Sequence, residues 1–145
     1  LVPSSFVHSV IHALLLAADH PDREALCALA KSIASQFIRP AAELIEAKPH
    51  LPLTVTSLAR QCHISPRALQ KGFIRHLGIS PMAYLRQVRL RRAHHELLVS
   101  DPSVETVASI ARRWGFTNLG RFATAHTARY GETPAQTHRR SRRTI

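Results

Sequence analysis

Three side chains able to read the edges of base pairs fall close together in this sequence. Arg67, Gln70 and Lys71 stand at the second, fifth and sixth positions after Ser65, in SPRALQKGF. A guanidinium pairs bidentately with guanine and a carboxamide with adenine, each good pair discriminating by about 1–3 kcal/mol. A solvated helix face has the same composition, so the elements that carry these residues must decide between the two readings. Other chemistry lacks a residue set. There is no glycine-rich phosphate loop, no nucleophile elbow and no paired carboxylates, so an enzyme is not expected. Among ten histidines, His8 and His12 have the spacing of a helical metal pair, but no Cys or carboxylate is placed to complete a site. His94 and His95 are adjacent and project in different directions. Neither a metal nor a cofactor is expected. Cys27 and Cys62 form no disulfide framework and no zinc spacing, which makes a reducing cytosol the default compartment. Cys62 and Trp114 are read as core residues.

The elements that would hold such side chains are helical throughout. Gly is scarce, β-branched alternation is absent, and apolar residues recur at three- and four-residue spacing. Ser4-Ser5 precede a helix to about residue 20, and Asp22 can cap a second, DREALCALAKSIASQ. Pro40 suits the first turn of a third, PAAELIEAK, and Pro49 and Pro52 set a boundary near residue 50. Beyond it lies an internal repeat. TVTSLAR at 54–60 matches TVASIAR at 106–112, with five identities in seven at an offset of 52. Ile64 and Phe116 keep that offset, which becomes 53 for Leu69 and Phe122, Gly78 and Gly131, and Pro81 and Pro134. A duplicated unit of about fifty residues is far harder to reach by accident than a single motif.

Each copy starts at a capping threonine, Thr54 or Thr106, and turns sharply at Ile64 or Phe116. It restarts at Ser65-Pro66 or at Asn118. The second helix is expected to bury Leu69, Phe73 and Leu77 in one copy and Phe122, His126 and Tyr130 in the other. Two short helices across a tight turn, with small Ala59 or Ala111 at the crossing, make a helix-turn-helix. Between the copies, Ser80-Pro81 starts a helix that runs to about residue 99 before Asp101-Pro102. It would be about 28 Å long at 1.5 Å per residue, near the roughly 34 Å between successive major-groove faces. The fold expected is all-α. Tandem helix-turn-helix modules at about 51–80 and 103–138 are joined by a connecting helix over 81–99 and preceded by two or three N-terminal helices. Residues 1–50 form one domain and 51–145 the other.

Charge agrees with this placement. The chain carries 20 Lys and Arg against 9 Asp and Glu, a net +11. Residues 1–50 hold four basic and five acidic side chains, and residues 51–145 sixteen and four. A basic body points to a polyanion, nucleic acid first. No apolar run approaches the roughly 18 residues of a membrane span, and no signal peptide is visible, so no membrane partner is expected. The start at Leu1 suggests a fragment of something longer. A non-specific architectural protein that coats nucleic acid would satisfy the charge equally well; the capped duplication with a groove-matched spacer argues against it.

The run LTVTSLARQCHISPRALQKGFIRHLGISPMAYLRQVRLRRAHHELL, followed by TVASIARRWGFTNLGRFATAHTARYGETP, resembles the AraC/XylS family of bacterial transcription regulators over about residues 51–138. The resemblance implies a sequence-specific regulator, an activator in the cytoplasm at the nucleoid. Its partner is double-stranded promoter DNA, read by two recognition helices in successive major grooves, with RNA polymerase as a second partner. It puts base contact on Arg67, Gln70 and Lys71. Residues 1–50 resemble the end of an effector-sensing or dimerising domain plus a linker, so a homodimer through that segment or a missing domain is also implied. In copy two the equivalent positions are Gly120, Ala123 and Thr124, which leave Asn118 at the cap and Arg121 at the third position as polar candidates. Asn118, Arg121 and Thr124 are therefore expected to give phosphate contact, shape reading or thymine-methyl packing. His126 departs from the aromatic usual there, which predicts looser packing. Arg86, Arg89, Arg91 and Arg92 are either a solvated face or DNA contacts, with an internal ion pair as the further choice for Arg89. The tail from His138 to Arg143 is either a phosphate-binding arm or a frayed end.

Overall fold

Helix ends in this chain sit on residues able to start or stop a helix. The computed structural model describes residues 23–141. The helix expected before residue 21, with His8 and His12, lies outside the described residues, as does Arg143. Seven helices are described: α1 (Arg23–Ala47), α2 (Val55–Gln61), α3 (Pro66–Leu77), α4 (Pro81–Val99), α5 (Val107–Arg113), α6 (Leu119–Tyr130) and α7 (Pro134–Ser141). No strand occurs among the described residues, so the expected all-α class holds. None of these helices is long and apolar enough to cross a membrane.

The caps follow the duplication. Thr54 Oγ1 accepts from the Ser57 amide at 3.1 Å, and Ser57 Oγ accepts from the Thr54 amide at 2.9 Å. Thr106 and Ser109 repeat this reciprocal pair at 3.0 and 3.1 Å. Each box satisfies two backbone donors that no carbonyl of the helix can reach. Ser65 caps α3 through the Ala68 amide, Asn118 caps α6 through the Arg121 amide, and Ser80 caps α4 through the Ala83 amide. Gly78 and Gly131 end α3 and α6 at the same φ of 75°, a left-handed turn that costs a residue without Cβ nothing.

One boundary differs from expectation. Two helices meeting at Pro40 are predicted; instead α1 runs unbroken for 25 residues with Pro40 inside it. Proline removes the bond to the Gln36 carbonyl and costs about 3 kcal/mol in a helix interior. Gln36 is exposed, so water can serve that carbonyl, and the buried stripe Ile38, Ala41 and Ile45 passes the proline without a change of phase. Tertiary burial overrides the local signal. Leu77 also differs: it is 43% exposed, beside Ile74 at 58%. Leu77 lies in the last turn of α3, which at about 18 Å is longer than the roughly 10 Å of α2.

The chain forms two compact units. Among the described residues, one holds 23–47 together with 53–83, and the other holds 48–52 together with 84–141. In the first, α1 packs on α2 and α3 around buried Ile38, Ala41, Ile45, Leu58, Ala59, Leu69 and Phe73. In the second, Leu90, Ala93 and Leu97 of α4 meet Ile110, Ala111 and Phe122, with Trp114, Phe116 and Tyr130 packed against them.

Gly72 sets the approach of α1 to α3: a Cβ added there would lie 2.6 Å from Ile38 Cγ2. Gly72→Ala gains helix propensity but overpacks a buried branch, and such overpacking typically costs about 1–3 kcal/mol. A lower thermal midpoint is expected, partly restored by adding Ile38→Leu, which moves the branch away from Cβ. A melt unchanged or raised by Gly72→Ala alone would contradict this packing.

Candidate nucleic-acid interface

Both copies close their turn with the same hydrogen bonds. The Ile64 amide donates to Ala59 O at 3.1 Å and the Phe116 amide to Ala111 O at 2.9 Å. His63 donates to Arg60 O, and Gly115 to Arg112 O, at 3.2 and 3.0 Å. The residue before the reversal has positive φ in each copy, 55° at His63 and 85° at Gly115. Ala59 and Ala111 are buried at the crossing. These are the two helix-turn-helix units expected from the repeat.

On α3, Leu69 and Phe73 face the core, while Arg67, Gln70 and Lys71 are exposed. Among the described residues, none of those three side chains makes a hydrogen bond or an ion pair. The helix is thus held by its apolar side and its cap, and its polar face keeps its full hydrogen-bonding capacity. On α6 the arrangement is poorer. Asn118 Oδ1 is taken by the Arg121 amide at 2.9 Å, and Thr124 Oγ1 donates to the Gly120 carbonyl at 3.0 Å. Asn118, Arg121 and Thr124 are all exposed; among the described residues the Arg121 guanidinium and the Asn118 carboxamide N–H groups keep their donors, and the Thr124 hydroxyl does not.

The acidic residues of the second unit are spent internally. Glu96 accepts from Trp114 Nε1 at 2.5 Å and pairs with Arg113, which also meets Glu105 at 2.7 Å. Glu132 pairs with Arg140 at 3.1 Å and accepts from Thr137 Oγ1 at 2.7 Å. Trp114, expected as core, is half-buried with its N–H on a carboxylate. This network is not legible as a motif. Its one signal is that acidic residues are rare in a strongly basic segment, and each of these has a cation to meet. Among the described residues Arg89 has no ion-pair partner; its Nε and Nη2 donate to the carbonyls of Pro49 and Leu51 at 2.7 and 2.8 Å. The tail is helical as far as Ser141, with His138 buried against Ser100 Oγ at 3.1 Å. Cys27 and Cys62 are free thiols; burial pushes Cys62 up. Among the described residues no group of three or more His, Cys, Asp or Glu is arranged to hold a metal ion.

His126 corrects the expectation of looser packing. It is fully buried, with Nδ1 on the Glu132 carbonyl and Nε2 on His94 Nδ1, both at 3.0 Å. A carbonyl only accepts, so Nδ1 carries the proton and Nε2 must accept from His94 Nδ1–H. His94 also stacks on Tyr130, with centroids 3.6 Å apart. The bond is satisfied with both rings neutral, whereas with both rings cationic Nε2–H and Nδ1–H would face each other, so the pair resists full protonation. Burial pushes His126 down, and burial followed by the neighbouring His126 pushes His94 down. The unfolded chain then binds more protons than the native one as pH falls through the ordinary value of 6.5. Stability from the pair is complete above that value and lost below it. Urea midpoints should fall from about pH 7.5 to about pH 5, and less steeply in His126→Phe. Equal slopes in the two proteins would refute the assignment.

Comparison with known proteins places this geometry among relatives. A helix-turn-helix domain family model matches residues 58–140. The chain is 37% identical over 136 residues to a probable thc operon regulatory protein of Rhodococcus erythropolis, covering 94% of this chain and 41% of that one. It is 30% identical to XylDLEGF operon transcriptional activator 2 of Pseudomonas putida, over 66% of this chain and 60% of that one. The chain therefore spans less than two thirds of the length of these relatives. Among solved structures, a probable AraC family transcriptional regulator from Rhodopseudomonas palustris superposes with a TM-score of 0.67 at 39% identity, covering 73% of this chain and 97% of that one. The C-terminal domain of AraT, a response regulator from Geobacillus stearothermophilus, gives 0.59 at 28%, covering 71% and 84%.

Proposed function

Because the chain belongs to the AraC/XylS family of helix-turn-helix transcription regulators, we propose that it reads specific sites on double-stranded promoter DNA. One recognition helix would enter each of two successive major grooves. The observation that carries this reading is the free polar face of α3, Arg67, Gln70 and Lys71, backed by buried Leu69 and Phe73. Phosphate neutralisation by the basic surface supplies affinity and salt dependence. Base contact from α3 supplies most of the specificity, and α6 supplies register and shape through Arg121, the Asn118 cap and the Thr124 methyl. A non-specific coating protein would need the charge and would have no use for an uncommitted carboxamide and guanidinium at a fixed helical spacing.

By analogy with the relatives named as operon activators, the site is a promoter and the outcome activation, with RNA polymerase as a further partner. Residues 1–50 are the end of a regulatory or dimerising part, through which the regulator pairs with a second copy. The working place is the cytoplasm, at the nucleoid.

Selection of bound duplexes from a random pool gives the site. Competition against scrambled duplex at fixed salt should then favour it by orders of magnitude; equal affinity would overturn sequence reading. Arg67→Ala should weaken the selected site by about five- to 150-fold, from the roughly 1–3 kcal/mol of a bidentate pair, and leave random duplex almost unchanged. A variant that loses both equally would make Arg67 a phosphate contact.

A further inference from the structure

At one position of the turn the difference between the two copies has a physical cause. His63 and Gly115 both sit at positive φ after the first helix of their copy, yet a side chain is present at one and absent at the other. A Cβ on Gly115 would lie 2.9 Å from Arg89 Nη1 and 3.2 Å from its Cζ. The guanidinium is not free to swing aside, since Nε and Nη2 are held by the carbonyls of Pro49 and Leu51. The Leu51 amide closes the same short segment onto the Lys48 carbonyl at 3.3 Å.

One planar group therefore touches two things: the backbone of residues 48–52 and the turn that precedes the second recognition helix. Its geometry is rigid, because both carbonyls lie on one fork of a delocalised cation. The turn is in turn locked to α6 by packing, with the rings of Phe116 and Phe122 4.8 Å apart. A change in the path of residues 48–52 moves the carbonyls, the fork follows, and the contact with Gly115 changes with it.

We propose that Arg89 is a positioning residue for DNA reading, which makes the aim of Leu119–Tyr130 depend on the conformation of residues 48–52. The inference rests on the DNA-reading assignment above. It gives the segment before residue 48 a route to the second recognition helix: events there are felt as a change in how copy two sits on its half of the site. Lysine cannot replace arginine at this position, since a single ammonium on a flexible stem does not reproduce a fork between two fixed carbonyls.

The test uses the full chain and the duplex selected by the wild type, read by hydroxyl-radical footprinting. Wild type should protect both halves of the site. At concentrations that saturate the copy-one half, Arg89→Lys and Arg89→Met should keep that protection and lose it over the copy-two half. Pro49→Gly, which loosens the segment and leaves the guanidinium in place, should reproduce the pattern. A merely less stable protein loses both halves together, and that result, like full protection of both halves in the two Arg89 variants, overturns the proposal. If wild type selects no duplex or protects a single half, the DNA-reading assignment itself fails, and this is visible before any variant is tested.

Discussion

The amide of the residue after each reversal, Ile64 or Phe116, donates to the carbonyl of a buried alanine five residues earlier. That bond forms only when the residue before it takes positive φ and the alanine presents no bulk at the crossing. Everything that concerns DNA follows from this closure. It lets a seven-residue helix, too short to persist alone, share a core with a twelve-residue one. It also turns the apolar stripe of the longer helix inward, so that the opposite face stands clear of the protein. A side chain on that face is available for a base edge because no described residue competes for it.

The same closure serves two different surfaces. Copy one leaves Arg67, Gln70 and Lys71 uncommitted, while copy two commits its acceptors and hydroxyls to its own backbone. Copy two spends more of its polar and charged groups internally. It holds the carboxylate pairs around Glu96 and Glu132, the imidazole pair, and the guanidinium packed on Gly115. Duplication supplied two equal frames, and the physics of each frame now differs: one presents hydrogen-bonding groups outward, the other uses them to hold its shape.

Much of this was legible from residues alone, because caps and turns are local. Thr54, Ser65, Thr106 and Asn118 announce helix starts wherever they are met, and the offsets of 52 and 53 give the tandem arrangement. What failed to be legible was tertiary. Pro40 looks like a helix start until the stripe on both sides of it is found buried on one surface. Leu77 looks like core if the copies are taken as equal in length and cover. His126 looks like a defect because its partners are a backbone carbonyl and a histidine 32 positions away. Arg89 has carbonyl partners, which carry no side-chain signature at all.

On the proposed reading two similar helices divide the labour, and a base-by-base substitution scan of the selected duplex is the sharpest test of it. Every position is replaced in turn, and affinity is measured at one salt concentration. Steep losses are expected at a few positions under copy one, about 1–3 kcal/mol each, with a shallow profile under copy two. Steep losses under copy two with a shallow profile under copy one would contradict this reading.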